Sequence, residues 1–313
     1  KKENVLLWQF KEKLPFLILS FLCVFINLYN PNNYATESFP LSQRLANAPV
    51  AFVTYLIKTF WPHDMAVFYP FPAHIPTGQV SGASFLILMI TVWVAVLIKQ
   101  APYLLTGWFW FALTITPVIG ISQIGDFSMA DRYHYLPSIG IAIMLAWGMP
   151  LLFNREVLRK QVLFLTGTAF LALLTLFTWQ QCSHWKNSLS LFSHCLNVTK
   201  NNYLAHNNLG LALFSKGKTQ VAIAHYDEVI RIRPFDVVPH HNKAIVYARL
   251  GQYQTAIESY NQAIKLKQDD AEAYSNRGNV YLSLGQTRKA LTDFDEAVRL
   301  QPDNPAIYFN RGN

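Results

Sequence analysis

The sequence predicts an all-α protein in two parts, a polytopic transmembrane helix bundle over residues 1–184 and a helical solenoid over 203–313, with a connecting helix over 185–202. Three observations predict it. Long apolar runs fill the first 185 residues, which carry 11 basic and 7 acidic side chains against 15 and 11 in the last 128. A set of small and aromatic residues then recurs every 34 positions. With 22 Phe and 8 Trp among 313 residues, 52% apolar and 14% charged, a disordered chain is excluded and one ordinary soluble domain is a poor fit.

A bilayer core about 30 Å thick takes about 20 apolar residues as a helix. Five runs approach that length: 14–29, 80–98, 102–121, 136–153 and 161–181. Segment 41–60 reads differently. Leu41, Leu45, Ala48, Phe52 and Leu56 recur at helical spacing, but Arg44, Asn47 and Lys58 interrupt the run, which leaves an interfacial helix or a short span, the interfacial helix being preferred. Loop charge agrees. With 41–60 interfacial, Lys1, Lys2, Lys11, Lys13, Lys99, Arg155, Arg159 and Lys160 fall on one side, and only Arg44, Lys58 and Arg132 on the other. Excess Lys and Arg marks the cytoplasmic side. Everything after Trp185 is then extracytoplasmic, as are the aromatic segments WPHDMAVFYPFPAHIP (61–76) and GDFSMADRYHYLP (125–137). The spans hold no charge near their centres, which argues against a transporter.

In the second part Gly210, Ala244, Gly278 and Gly312 share one register. So do Gly217, Gly251 and Gly285; Ala222, Ala256 and Ala290; and Tyr226, Tyr260 and Phe294. Pro234 and Pro302 end repeats, with Gln268 at the same position between them. This is the tetratricopeptide (TPR) pattern. Small residues let two antiparallel helices approach, an aromatic fills the gap, and the second glycine stops the first helix. The repeats run 203–236, 237–270 and 271–304, with a fourth begun at 305–313. First helices are expected from Tyr203, Val237, Ala271 and Pro305, and second helices from Thr219, Tyr253 and Thr287. Residues 186–199, with Leu189, Phe192 and Leu196 in a stripe, read as a lone second helix. Asn208, Asn242, Asn276 and Asn310 also recur in register. An amide offers a donor and an acceptor together, so such a ladder suits the backbone of an extended peptide on the concave face. The bland alternative is a solvated asparagine that caps the local helix or bonds within its own repeat.

Other features are less informative. Cys23, Cys182 and Cys195 make no disulfide framework. The net charge of +8 forms no basic stripe, so a nucleic-acid partner is not expected. No phosphate loop, CxxC pair or HExxH helix occurs, and His63, Asp64 and His74 lack metal-ligand partners at useful spacing. Asn197-Val198-Thr199 matches a glycosylation acceptor, but on an expected helix. The sequence starts without Met and stops inside a repeat, which points to a piece of a longer protein.

At DRYHYLPSIG (131–140), WKNSLSLF (185–192) and AHNNLG (205–210) the chain resembles the transmembrane and TPR repeat-containing proteins and their bacterial relatives. Residues 42–72, and the opening KKENVLL, resemble the same family. The resemblance implies a multi-pass membrane glycosyltransferase of the GT-C type, in a bacterial inner membrane or the endoplasmic reticulum. Animal members are associated with protein O-mannosylation. The donor would be a sugar on a polyprenyl phosphate, used extracytoplasmically, and the catalytic carboxylate would lie in a loop upstream of this sequence. Asp131, Arg132, Tyr133 and His134 are then the candidates for donor-phosphate binding, because the arginine fork suits phosphate. Their bland reading is an Asp131–Arg132 pair with an aromatic belt. Expected partners are membrane lipid and a peptide or protein on the TPR face. The rival function is a non-enzymatic, membrane-anchored TPR scaffold.

Overall fold

The computed structural model describes residues 22, 39–72, 74–121, 127–149 and 156–312. Apart from Leu22, the expected span 14–29 lies outside these residues, as do Cys23 and the end of the span 136–153. The chain forms two compact units, Lys1–Trp179 and Gln180–Asn313, which divide inside a helix.

In the first unit α1 covers Leu41–Phe60, α2 Thr77–Val96, α3 Pro102–Ile115, α4 Tyr135–Gly148 and α5 Glu156–His184. Helix α3 is shorter than the 102–121 run that predicted it. A 3-10 turn, Thr116–Val118, follows it, and Gly120 at φ +90° breaks the helical path. Helices α2 and α5 are long and apolar enough to cross a membrane. Their large side chains stay uncovered: Leu88 and Val92 on α2, and Phe164 and Leu171 on α5, are more than half exposed. The purely α expectation omitted one small sheet. Strand β1 (Tyr69–Pro70) pairs antiparallel with β2 (Phe127–Met129), Tyr69 opposite Met129 and Pro70 opposite Phe127.

The core of this unit joins Ala48, Phe52 and Tyr55 of α1 to Trp108, Phe111 and Ile115 of α3. Helix α1 buries only the later part of the stripe that the spacing predicted, Ala48 and Phe52 fully and Leu56 in part. Asn47, Ala48, Ala51, Phe52 and Tyr55 are buried, whereas Leu41 and Leu45 remain about half exposed. The inner face is fixed by polar side chains: Arg44 donates to Ile121 O, Asn47 Nδ2 reaches Ile119 O and Ser128 O, and Tyr55 Oη exchanges bonds with Ala130 N and O. Positions 44, 47, 51, 55 and 58 share one helical face. The residues that interrupt the apolar run are the ones that dock the helix.

In the second unit α6 covers Ser188–Val198, α7 Tyr203–Ser215, α8 Thr219–Ile232, α9 Val237–Arg249, α10 Tyr253–Leu266, α11 Ala271–Ser283, α12 Thr287–Leu300 and α13 Pro305–Gly312. The starts of α7 to α13 match the expected ones, and α6 falls inside the expected 186–199. Asn202, Asp236, Asp270 and Asn304, again 34 apart, accept backbone N–H bonds at the starts of α7, α9, α11 and α13. Gly217, Gly251 and Gly285 end the first helices at φ +76°, +72° and +70°. Lys218 N bonds Leu213 O and Gly217 N bonds Phe214 O, the Schellman closure. Leu189, Phe192 and Leu196 of α6 pack on the Leu209–Leu213–Tyr226 cluster, as a second helix of a preceding repeat would.

Candidate functional site

The turn Asp131–His134 follows β2 and leads into α4. Its four predicted residues face different ways. Asp131 and His134 turn inward. Asp131 Oδ2 accepts from Ala66 N at 2.6 Å and from the Tyr69 hydroxyl at 2.8 Å, while Oδ1 is buried without a bond. Burial holds its pKa above the usual carboxylate value, against the pull of Lys58, Tyr69 and the Ala66 amide. His134 Nε2 meets Thr59 Oγ1 at 2.9 Å, and its ring stacks on Tyr55 with centroids 5.9 Å apart. Burial, then the nearby Lys58 charge, pushes its pKa down.

Arg132 turns outward. Its guanidinium lies over Phe68, Phe127 and Tyr133, at 5.4, 5.3 and 4.9 Å from the ring centroids. It donates to Val67 O at 3.5 Å and to the Tyr133 hydroxyl at 3.3 Å, and among the described residues it has no carboxylate partner. The anticipated Asp131–Arg132 pair does not form, because Asp131 is engaged by the 66–69 segment. The site therefore leaves Arg132 at the surface, packs the half-buried Tyr133 against the core, and sets Asp131 and His134 inward as supports.

Sequence reasoning missed Lys58, Thr59 and Tyr69. Lys58 Nζ bonds His63 O at 2.8 Å, Asp64 O at 3.0 Å and the Tyr69 hydroxyl at 2.9 Å. Its burial lowers its pKa, opposed by Asp131 and Asp64. The available signal was a lone lysine in an apolar run. His63 and Asp64 pair with each other at 2.9 Å, both well exposed. Among the described residues, no three His, Cys, Asp or Glu side chains gather in a way that would hold a metal.

The asparagine ladder lies in the second unit. Asn208 Nδ2 donates within its own helix to Leu204 O at 2.8 Å. The others reach across repeats: Asn242 to Asn207 Oδ1 at 2.8 Å, Asn276 to His241 Nε2 at 3.0 Å and Asn310 to Ser275 Oγ at 3.1 Å. Asn208 follows the bland alternative, while the bonds of the other three across repeats were not anticipated. The donors staple neighbouring first helices, and each Oδ1 is left as an acceptor. The next residue adds a second staple: Lys243 bonds Asp227, Arg277 bonds Asn261 and Arg311 bonds Asp295.

Tetratricopeptide repeat family models match residues 196–237, 225–258 and 271–304, and a TPR repeat model matches 246–285. Over the repeats the chain is homologous to proteins named as protein O-mannosyl-transferases. Tmtc3 of Drosophila melanogaster is 30% identical over 129 residues, 41% of this chain and 14% of the relative. TMTC3 of Mus musculus is 30% identical over 129 residues, 40% and 14%. TMTC4 of Homo sapiens is 30% identical over 100 residues, 32% and 13%. The chain thus spans about a seventh of the length of these relatives. Among solved structures, MamA is 22% identical with a TM-score of 0.37, over 40% of this chain and 72% of that one. The first TPR of Spaghetti (RPAP3) bound to an HSP90 peptide is 27% identical with a TM-score of 0.34, over 35% and 87%.

Proposed function

We propose, from the homology of these repeats to those of protein O-mannosyl-transferases, that the chain is part of a membrane glycosyltransferase. It moves a sugar, mannose by the relatives' names, from a polyprenyl phosphate to a polypeptide on the extracytoplasmic side. In this reading the run 14–29 and helices α2 to α5 cross the membrane and α1 lies in the interface. The observation that carries the site is Arg132, a guanidinium fixed over three rings with outward N–H groups free of any carboxylate among the described residues. Displacement at the anomeric carbon forms the glycosidic bond and releases a phosphate bearing the negative charge. A carboxylate outside this sequence takes the acceptor proton, and Arg132 stabilises the departing anion. The acceptor lies along the repeats, where the free Oδ1 atoms of Asn242 and Asn276 accept from its backbone N–H groups.

Arg132→Ala in the full-length protein is expected to lower transfer from a polyprenyl-phosphate sugar by about 100-fold, the usual cost of one lost charge-stabilising donor, with helical content unchanged. Unaltered turnover removes the role. A scaffold reading is favoured by one fact, that the similarity to the transferases falls on the repeats. It predicts that the full-length protein transfers no sugar and that Arg132→Ala has no phenotype.

A further inference from the structure

We infer that Lys58 is a positioning residue for Arg132: with Tyr69 and Asp131 it locks the 61–69 segment into the shape that seats the guanidinium for a lipid-borne phosphate. The inference rests on the donor-phosphate reading. It starts from how the Lys58 ammonium is used. A lysine that binds an anion directly offers its N–H groups to the ligand, and an ammonium has three. Those of Lys58 go to His63 O, Asp64 O and the Tyr69 hydroxyl, all within 3.0 Å. The Tyr69 hydroxyl passes the connection on to Asp131 Oδ2, and the same oxygen accepts the Ala66 amide. Ala66 and Tyr69 are therefore both tied to the residue just before Arg132.

Between those two pinned residues lie the parts of the seat. Val67 supplies the carbonyl that accepts from Arg132, and Phe68 supplies one of the three rings. Pairing of Tyr69 and Pro70 with β2 brings up Phe127, the second ring. Cutting the Lys58–Tyr69–Asp131 chain removes one set of ties from the segment that carries Val67 and Phe68, and Arg132 is held less firmly in its direction while keeping its charge. Lys58 touches neither the guanidinium nor the open face before it, so its effect passes through Arg132.

The test is a double-mutant cycle on the full-length protein in nanodiscs, with binding of polyprenyl monophosphate as the readout and inorganic phosphate titrated beside it. Lys58→Met and Tyr69→Phe should each weaken lipid-phosphate binding about 5- to 10-fold. Lys58→Arg should restore most of it, since a guanidinium again reaches the carbonyls. In an Arg132→Ala background the added Lys58→Met change should cost less than 2-fold, because the path it acts through is gone. Tyr69→Phe deletes one hydroxyl and guards against a trivial folding failure of the lysine variant. Losses that multiply overturn the positioning role. So does tight binding by Lys58→Met beside weak binding by Arg132→Ala. Arg132→Ala that binds as the parent does overturns the phosphate reading itself. Binding of inorganic phosphate as tight as that of the lipid overturns the lipid source.

Discussion

At the scale of single residues, close approach decides what is tolerated. A Cβ on Gly210 would stand 2.6 Å from the Tyr226 ring, and one on Gly278 2.8 Å from Phe294. At the same register Ala244 is buried beside Tyr260, so the joint accepts a methyl only where the backbone already makes room. Gly210→Ala should therefore destabilise the repeats by about 1–3 kcal/mol, the cost of overpacking, read as a lower denaturant midpoint. A second residue-scale feature is the His206–His225 pair, whose Nδ1 atoms lie 3.0 Å apart between α7 and α8. Burial depresses both pKa values, His225 lowers that of His206 further, and Glu228 pulls both the other way. Folded-state pKa values below the ordinary histidine value mean that the unfolded chain binds more protons. Stability from this pair is present above about pH 6.5 and is lost as pH falls below it. The thermal midpoint of the repeat helices should drop between pH 7.5 and 5, and His225→Gln should flatten that dependence. A flat profile in the parent refutes it.

At the scale of elements, the solenoid is stapled at the joints marked by Asn242, Asn276 and Asn310 by the asparagine and the cation after it. Arg277 does more than its counterparts, holding Asp293 with two bonds at 2.8 and 2.7 Å while reaching Asn261. The side chains are 16% and 7% exposed, so the pair is nearly dry. Removing the arginine strands a buried carboxylate, and Arg277→Ala should cost about 3 kcal/mol in urea unfolding, at the low end for a buried pair because the arginine keeps some water contact. Arg277→Ala with Asp293→Leu should recover much of the loss. In the first unit α3 and α4 cross at Gly107 and Gly140, where a Cβ on either would collide with the other's carbonyl oxygen. Small residues at a helix crossing permit van der Waals contact between backbones, the usual means of association where lipid removes the hydrophobic drive.

At the scale of the whole molecule, the question is which side of a membrane each segment occupies. The five-span reading puts Arg159 on the cytoplasmic side and Lys267, exposed at the end of α10, on the other. In cysteine-free full-length protein, Arg159→Cys and Lys267→Cys should label from opposite faces of sealed vesicles. Labelling from the same face overturns the arrangement and, with it, an extracytoplasmic location for the repeats.

The repeats were legible in the sequence because their physics is local and periodic. Gly at φ > 0, small residues under aromatic rings and a 34-residue period fix every helix start before any tertiary contact is known. The first unit was only half legible. Apolar runs announced helices, but Arg44, Asn47 and Lys58 read as defects until folding set the first two against carbonyls more than 70 residues away and Lys58 against those of the turn that follows α1. The Asp131–His134 cluster was visible as a motif, yet its division into a surface arginine and buried supports was not. Sequence determined which helices form, though not the small β1–β2 sheet, since propensity, period and capping act within a few residues. Only the tertiary structure decided which polar side chains face inward, because the partners that satisfy them, Ile121 and Ser128 for α1 and Tyr69 for Asp131, lie 62 to 81 residues away and no spacing records them.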